Sequence, residues 1–482
     1  MEKASFILND ADFNFNGESS SSIKFVGPQA NLKHTHITII AGANGTSKSR
    51  IISSIVEKLY NLHLKTRQDG DARKITIHGT HGVTCTNINT LGEKNNSIEN
   101  VILPSKVLAI SNLVMDKFHF SKSDHSEDGF YQYLGVRQAT NLTTTGSLER
   151  AVTEAVLRMS TTDDKLESFK AWQNLVFGGD RELALQFTRL KIKEIESFLN
   201  DPDKMLLVEK RMVRRSPRET ITQGQIGAIT RDITELFTFL QRKLTNYPVK
   251  SSSQRSKEEP FLRLSTLTSE EKFKLGSLAL TFNAATKAGY SAWPSLCFEA
   301  NPWFQFSQLS SGEQNLISVG AKLIAYAEPG SLIVIDEPEV SLNVAWQQHY
   351  TDLIMKSLTH APGTHVLIAT HSPHLIASLP LGSASIVTIE KTKENYAFKT
   401  SDALFEGWGS EAVLYQVLGI TSASSFLFNR KLARVLKHIQ DGGKEHELIQ
   451  GFLDSAYKLD YRGIEPLEEI INEIEFYLES IA

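Results

Sequence analysis

Hydrophobic and polar residues follow two periods along this chain, and the switches between them predict its elements. "SSIKFV" follows the Ser-rich turn "NGESSSS" and reads as a strand, as does "HTHITIIAG", a β-branched run that stops at Gly42. Past residue 50 the period changes: Ile51, Ile52, Ile55, Val56, Leu59 and Leu62 recur at helical spacing. The segment "GANGTSKS" between them therefore lies between a strand and a helix. Strand-like runs continue in "KITIHGT" and "SKVLAISNLV". From about residue 146 to 245 the pattern is mostly helical, through "SLERAVTEAVLRM", "ELALQFTRLKIKEIESFL" and "TRDITELFTFLQRKL". Breaks fall at "DPDK" and "NYPVKSSSQRSKEEP". Strand character returns at "PSLCFEA" and "WFQFSQLS", strand and helix alternate to about residue 400, and the remainder is helical. The expectation is an α/β fold with a division at 1–140, a mainly helical insertion at 141–299, a second α/β part at 300–401 and a helical region at 402–482.

Composition narrows the setting. With 482 residues, 41 % hydrophobic and 22 % charged, the chain has an ordinary globular mix and room for two or three domains. No apolar run of about 18 residues is present to span a membrane. The start "MEKASFILNDADF" lacks the basic-then-apolar pattern of a secretory leader. Only two cysteines, Cys85 and Cys297, are present, which argues against a disulfide framework and against a Cys-based zinc site. An intracellular protein is expected. A net charge of −4 gives no global pull toward nucleic acid, so any such contact needs a local patch.

Four motifs carry candidate chemistry. The loop at 42–49 has Gly42, Lys48 and Ser49 where a phosphate loop needs them, but Ser47 where that pattern has its second glycine. Its backbone N–H groups and the following helix would cradle phosphate, Lys48 would add a charge, and Ser49 would ligate Mg²⁺. A left-handed Ser47 costs about 1–2 kcal/mol, less than several charged hydrogen bonds return. "SLIVIDEPE" delivers Asp336 and Glu337 at the end of a strand, where active groups of open α/β sheets lie. Asp336 suits Mg²⁺ support and Glu337 suits polarising a water. In isolation "DEP" is more often an acidic turn. "LSSGEQN" precedes an apolar helix, and Ser310 and Glu313 have the spacing of a capping box, which is also the geometry of an anion cradle. "HVLIATHSPHLI" is an apolar strand ending at Thr370 and His371.

Together, "GANGTSKS", "LSSGEQ", "LIVIDEPE" and "IATHS" resemble the Walker A, signature, Walker B and switch-histidine motifs of ABC-type ATPases, in the SMC/RecF-like branch without a membrane partner. The resemblance covers roughly residues 1–140 and 300–400. It implies a P-loop ATPase head, ATP and Mg²⁺ as cofactors, and paired heads that sandwich ATP between one copy's phosphate loop and the other's signature loop. Carried over by position, Gly42, Asn44, Gly45, Thr46, Ser47, Lys48 and Ser49 bind phosphate. Ser310, Ser311, Gly312 and Glu313 grip the partner copy's γ-phosphate. Ser49 and Asp336 support the metal, Glu337 acts on water and His371 senses the γ-phosphate. Ser47 departs from the family pattern, and "EVSLN" matches the D-loop loosely, placing Leu342 and Asn343 there. Gln132 and Gln138 both remain open for the Q-loop.

"VLAISNLVMDKF", "YQYLGVR", "NGTSKSR" and "FEGWGSEAVLYQVLGI" are similar to the PtuA family, the ATPase subunits of Septu antiphage systems and their retron-associated relatives. That likeness implies a separate, PtuB-like HNH endonuclease held and regulated by the ATPase, and a homo-oligomer in the cytoplasm. Neither an HNH nor a TOPRIM constellation is found in the chain itself. "HGTHGVTC" has metal-capable residues but reads first as strand and turn. A DNA or RNA contact would fall on Lys210, Arg211, Arg214, Arg215 and Arg218 or on Lys243, Lys250, Arg255 and Lys257, which also read as a solvated helix end and linker. In the tail, Leu467, Ile470, Ile471, Ile474 and Leu478 share a helix face that would pack on its own domain, and the helical region 402–482 is the candidate for docking the nuclease. The alternatives are a RecF-like DNA-repair or DNA-end-binding ATPase, and an ATP-binding scaffold with little turnover.

Overall fold

The computed structural model describes residues 5–15, 21–28, 35–43, 45–66, 83–91, 102–111, 113, 116–118, 129–135, 145–215, 222–250, 256–380, 382–391, 396–402, 410, 413, 426–443, 445–457 and 465–481. Strands β1 (Ile7–Phe15), β2 (Ser21–Lys24) and β3 (His36–Gly42) lead through the phosphate-loop segment into helix α1 (Lys48–Thr66). Then come β4 (Val83–Leu91), β5 (Val107–Ser111) and β6 (Tyr131–Tyr133).

The next stretch holds α2 (Thr145–Met159), α3 (Asp163–Phe177), β7 (Leu183–Gln186), α4 (Ile192–Asn200), α5 (Lys204–Arg215), α6 (Gln223–Lys243), β8 (Thr245–Lys250), β9 (Ser256–Arg263), α7 (Ser269–Ser277), α8 (Thr281–Lys287) and β10 (Ser295–Phe298). After β11 (Phe304–Gln305) the α/β pattern resumes: α9 (Ser311–Tyr326), β12 (Leu332–Asp336), α10 (Val344–Ser357), β13 (His365–Thr370), α11 (Pro373–Ala377), β14 (Ala384–Lys391) and β15 (Tyr396–Asp402). Helices α12 (Phe426–Gln440), α13 (His446–Tyr457) and α14 (Glu465–Ile481) follow.

The central sheet has seven strands in the order β15-β14-β3-β13-β12-β5-β6. All pairings are parallel except β14 with β15. Parallel strands covered on both faces read as unbroken apolar runs, and β3, β5, β12 and β13 are buried at every residue. The alternation along β12 divides two cores. Ile333 and Ile335 join the core under α2, α3, α9 and α10, whereas Leu332 and Val334 join that under α1 and β1. On this second side lies a three-stranded antiparallel sheet, β2-β1-β4. The sheet order leaves β13 between the strand that starts the phosphate loop and the strand that delivers Asp336.

The stretch expected to be mainly helical also contains strands. β7, β8, β9 and β10 join β11 in a five-stranded antiparallel sheet. "LALQ", expected inside a helix, is β7 and is buried at all its residues. A short apolar run buried on both faces has no period by which strand and helix differ. The expected linker "NYPVKSSSQRSKEEP" supplies the paired strands β8 and β9. At the C-terminal side, Ile471, Ile474 and Leu478 of α14 close a small core with Phe428, Val435, Ile449, Phe452, Leu453 and Ala456 of α12 and α13. Ile470 packs against it, and the Leu467 side chain lies outside the described residues. No helix among the described residues is long and apolar enough to cross a membrane.

Candidate functional site at the sheet edge

Three parallel strands bring their C-terminal ends to one edge. The register pairs Thr370 with Ala41 and Asp336 with both Ala369 and Ser111. Chain segments leaving β3, β12 and β13 therefore meet there, as ligand-binding segments do in open α/β sheets.

At the end of β3 the backbone turns within a few residues. A Cβ on Gly42 would meet the Ile389 carbonyl and the Thr46 hydroxyl at 2.8 Å each, so only glycine fits. Gly45 has φ 83° and Ser47 has φ 67°. The position that departs from the phosphate-loop pattern thus adopts the left-handed conformation that the missing glycine would take. Successive turns of this kind direct backbone N–H groups toward a common anion. The Ser47 hydroxyl lies 3.3 Å from the Tyr396 phenol on β15. Tyr396 stacks on Phe15 at 4.3 Å between ring centroids, and Phe398 extends the stack. Asn44 lies outside the described residues.

Lys48 begins α1 and is buried, its ammonium donating to the Gly42 carbonyl at 2.9 Å and the Ala43 carbonyl at 3.1 Å. Burial pushes its pKa down, while Glu337, Glu339 and Asp336 push it back up. The adjacent Ser49 hydroxyl donates to Asp336 Oδ1 at 2.8 Å, tying the two motifs together. Asp336 is 1 % exposed, and burial raises its carboxyl to about 7 against the opposing Ser49 bond; Glu337, Asp116 and Glu339 add to the rise. A hydroxyl and a carboxylate side by side, with surplus negative charge around them, are hard oxygen donors that suit Mg²⁺. Among the described residues no group of three or more His, Cys, Asp or Glu side chains could hold a metal ion. Mg²⁺ here would take its remaining ligands from water or phosphate oxygens.

Glu337 has φ 46° and Ser341 φ 69°. With Ser47 they are the non-glycine residues of positive φ among the described ones; Ser47 and Glu337 lie at this edge, and Ser341 lies in the segment that follows Glu339. Local strain of about 1–3 kcal/mol per residue persists where the surroundings hold it, and such positions gather at active sites. The turn at Glu337 folds the chain back, so that Glu339 Oε1 accepts from the Thr370 hydroxyl at 2.7 Å and from the His371 N–H at 2.9 Å. His371 Nδ1 is 3.3 Å from Glu339 Oε1 and 3.9 Å from Glu337 Oε1. Sequence reasoning assigned Glu339 no role, nor Asp116 or Tyr396. The second acid of "DEPE" was the signal for Glu339, whereas Tyr396 comes in on a hairpin whose first strand, β14, pairs at long range with β3.

The signature segment is a separate station. Ser310 and Glu313 form the capping box of α9, with Glu313 Oε2 accepting from both the Ser310 N–H and its hydroxyl at 2.7 Å. Ser310 and Ser311 are exposed, and among the described residues no hydrogen bond joins them to the phosphate loop. They connect instead to the segment after Glu339. Asn315 donates to the Val340 carbonyl at 2.7 Å, and a Cβ on Gly312 would meet the Ser341 carbonyl at 2.5 Å and Trp346 at 2.8 Å. Gly312→Ala is therefore expected to destabilise the chain by about 1–3 kcal/mol, read as an earlier thermal midpoint. An unchanged midpoint would show that this contact gives way freely. Leu342 is buried, and the Asn343 side chain caps α10.

Other candidates are less free than the sequence suggested. Arg211 lies over the Tyr290 ring at 4.2 Å and pairs with Glu194, and Lys243 pairs with Glu271. Lys210 and Arg214 are exposed, Arg218 and Arg255 lie outside the described residues, and so do the side chains of Arg215, Lys250 and Lys257. Gln132 bonds Tyr326, and Gln138 lies outside the described residues, as do 78–82 of "HGTHGVTC".

Residues 296–377 match the family described as "AAA domain, putative AbiEii toxin, Type IV TA system". No curated protein matches the chain. Among solved structures, the SMC head domain of Thermotoga maritima aligns at 12 % identity and TM-score 0.32, covering 82 % of this chain and 99 % of that one. The Pyrococcus furiosus Smc head bound to the C-terminal domain of ScpA aligns at 12 % identity and TM-score 0.30, over 82 % of this chain and 96 % of that one. The family match thus covers most of the second α/β part of the chain, from β10 to α11, within a mixed α/β fold.

Proposed function

We propose that this chain binds and hydrolyses ATP between two paired copies, and that the nucleotide state governs a partner nuclease. The observation that carries the ATPase reading is the Ser49–Asp336 bond of 2.8 Å beside Lys48, which joins the phosphate loop to the acidic strand end. Ser49 and Asp336 would hold Mg²⁺, which when bound neutralises charge on the β- and γ-phosphates. Lys48 would leave the Gly42 and Ala43 carbonyls for the triphosphate. Glu337, next to Asp336, would accept a proton from the attacking water. The exposed Ser310 and Ser311, with Gly312 and Glu313, would complete the site of the second copy, since they open α9 at the surface.

Single-turnover hydrolysis tests this. Glu337→Gln is expected to retain Mg·ATP and slow its cleavage by at least about a hundredfold. Equal rates in both proteins would retire Glu337 as the base, and binding without cleavage in either would favour a scaffold that only binds nucleotide. The finer reading, an antiphage ATPase with an HNH partner, is supported by the PtuA-like sequence segments alone. Co-purification with an HNH protein encoded beside this chain is its test. Tight ATP-dependent binding to DNA ends by the chain alone would favour the RecF-like alternative.

A further inference from the structure

We infer that Glu339 is the positioning residue for His371, setting which imidazole nitrogen faces the nucleotide. The inference rests on the ATPase reading for its consequence but on independent geometry for its basis. His371 is ringed by two carboxylates, and the nearer is not the one that the motif assigns to water. Glu339 Oε1 lies 3.3 Å from Nδ1, against 3.9 Å for Glu337 Oε1. The same oxygen fixes the backbone on which the ring is mounted, through the His371 N–H at 2.9 Å and the Thr370 hydroxyl at 2.7 Å.

The burial difference matches this division. The Glu339 side chain is 8 % exposed, the Glu337 side chain 27 % and the His371 side chain 42 %. A buried carboxylate that lies 3.3 Å from the ring nitrogen and is bonded to the main chain of the same histidine is a fixed support. The half-open Glu337 is left to face solvent, where a water would arrive. Nδ1–H donating to a carboxylate leaves Nε2 as the outward nitrogen, the arrangement by which a carboxylate fixes tautomer and ring orientation in other histidine sites. Among the described residues Glu339 Oε2 is buried without a hydrogen-bond partner, and the hydrogen bonds that hold the side chain here are those to Oε1. Glu339 would touch neither substrate nor water. It acts through His371.

Glu339→Gln keeps the size and one acceptor but also offers an N–H₂ donor to the ring. In the full chain, this variant is expected to lower kcat for Mg·ATP hydrolysis about tenfold while leaving KM within about twofold. In a His371→Ala background the same change is expected to have no further effect. A structural role alone would multiply the two losses instead of merging them. Wild-type rates in Glu339→Gln, or multiplied losses in the double variant, would overturn the proposal. Lys48→Ala separates this from the ATPase reading: if it and the wild type hydrolyse alike, that reading fails by itself. The second measurement needs no nucleotide. Nitrogen NMR of histidine-labelled chain, with the His371 signal identified by its loss in His371→Ala, is expected to show the Nδ1-protonated form in the wild type and a mixture in Glu339→Gln. The same form in both proteins would also overturn the proposal.

Discussion

Lys48→Ala is expected to remove nucleotide binding, weakening the affinity for Mg·ADP by at least about a hundredfold. The ammonium is the one cation that shares its electrostatics with Asp336, Glu337 and Glu339 among the shifts resolved around this edge. Burial disfavours its charge, yet the three carboxylates and the Gly42 and Ala43 carbonyls keep it in place. Truncation would remove the counter-charge and leave those carboxylates facing an incoming phosphate. Repulsion is then added to the loss of the bond. Lys48→Arg is expected to fail almost as badly, because a planar guanidinium replaces a compact ammonium inside a loop that already holds two carbonyls within 3.1 Å of Nζ. Titration calorimetry reads the affinity and circular dichroism checks the fold. Binding within threefold of wild type in a folded Lys48→Ala protein would mean that phosphate is not held here.

The site shows where sequence reasoning has reach. A strand, a glycine turn and a helix at 36–66 are local, so their pattern states them directly. The Ser310–Glu313 capping box is local too and formed as its spacing implies. The left-handed Ser47 answers whether serine can stand in that loop: it does so in the conformation that glycine would have supplied. Glu339 was visible only as a second acid in "DEPE", because its direction depends on φ 46° at Glu337, a turn that no residue type there announces. Tyr396 was out of reach for a different reason, since only the pairing of β14 with β3 and β15 brings it to the loop. The antiparallel sheet within the insertion escaped because β7 is too short and too evenly buried to show a period.

Lys322→Met is expected to stabilise the chain at pH 7 and below, and the gain is expected to fade in alkali. Lys322 is 1 % exposed on α9, and burial alone pushes its pKa from 10.5 down to about 7. Its hydrogen bond runs to the Leu134 carbonyl at 2.6 Å, just past the edge strand β6. Below pH 7 both folded and unfolded chains carry the charge, so the folded state bears the full penalty of burying it. Between about 7 and 10.5 the unfolded chain binds a proton that the folded chain does not, and wild-type stability rises with pH by up to about 1.4 kcal/mol per unit from this group. Methionine has no such dependence. Against the gain stands the Leu134 carbonyl, which would lose its donor at about 1–3 kcal/mol. The excess stability of the variant is therefore expected to be a few kcal/mol at pH 6.5 and to vanish or reverse by pH 9.5, read from denaturant or thermal midpoints at both values. Parallel pH profiles for the two proteins would show that the amine stays charged and hydrated in the folded chain. Lys322 ties α9, the helix that opens with Ser310–Glu313, to the segment after the edge strand β6, so a Lys322→Met protein that is more stable at neutral pH but slower in hydrolysis would show that this tie positions the Ser310–Glu313 end.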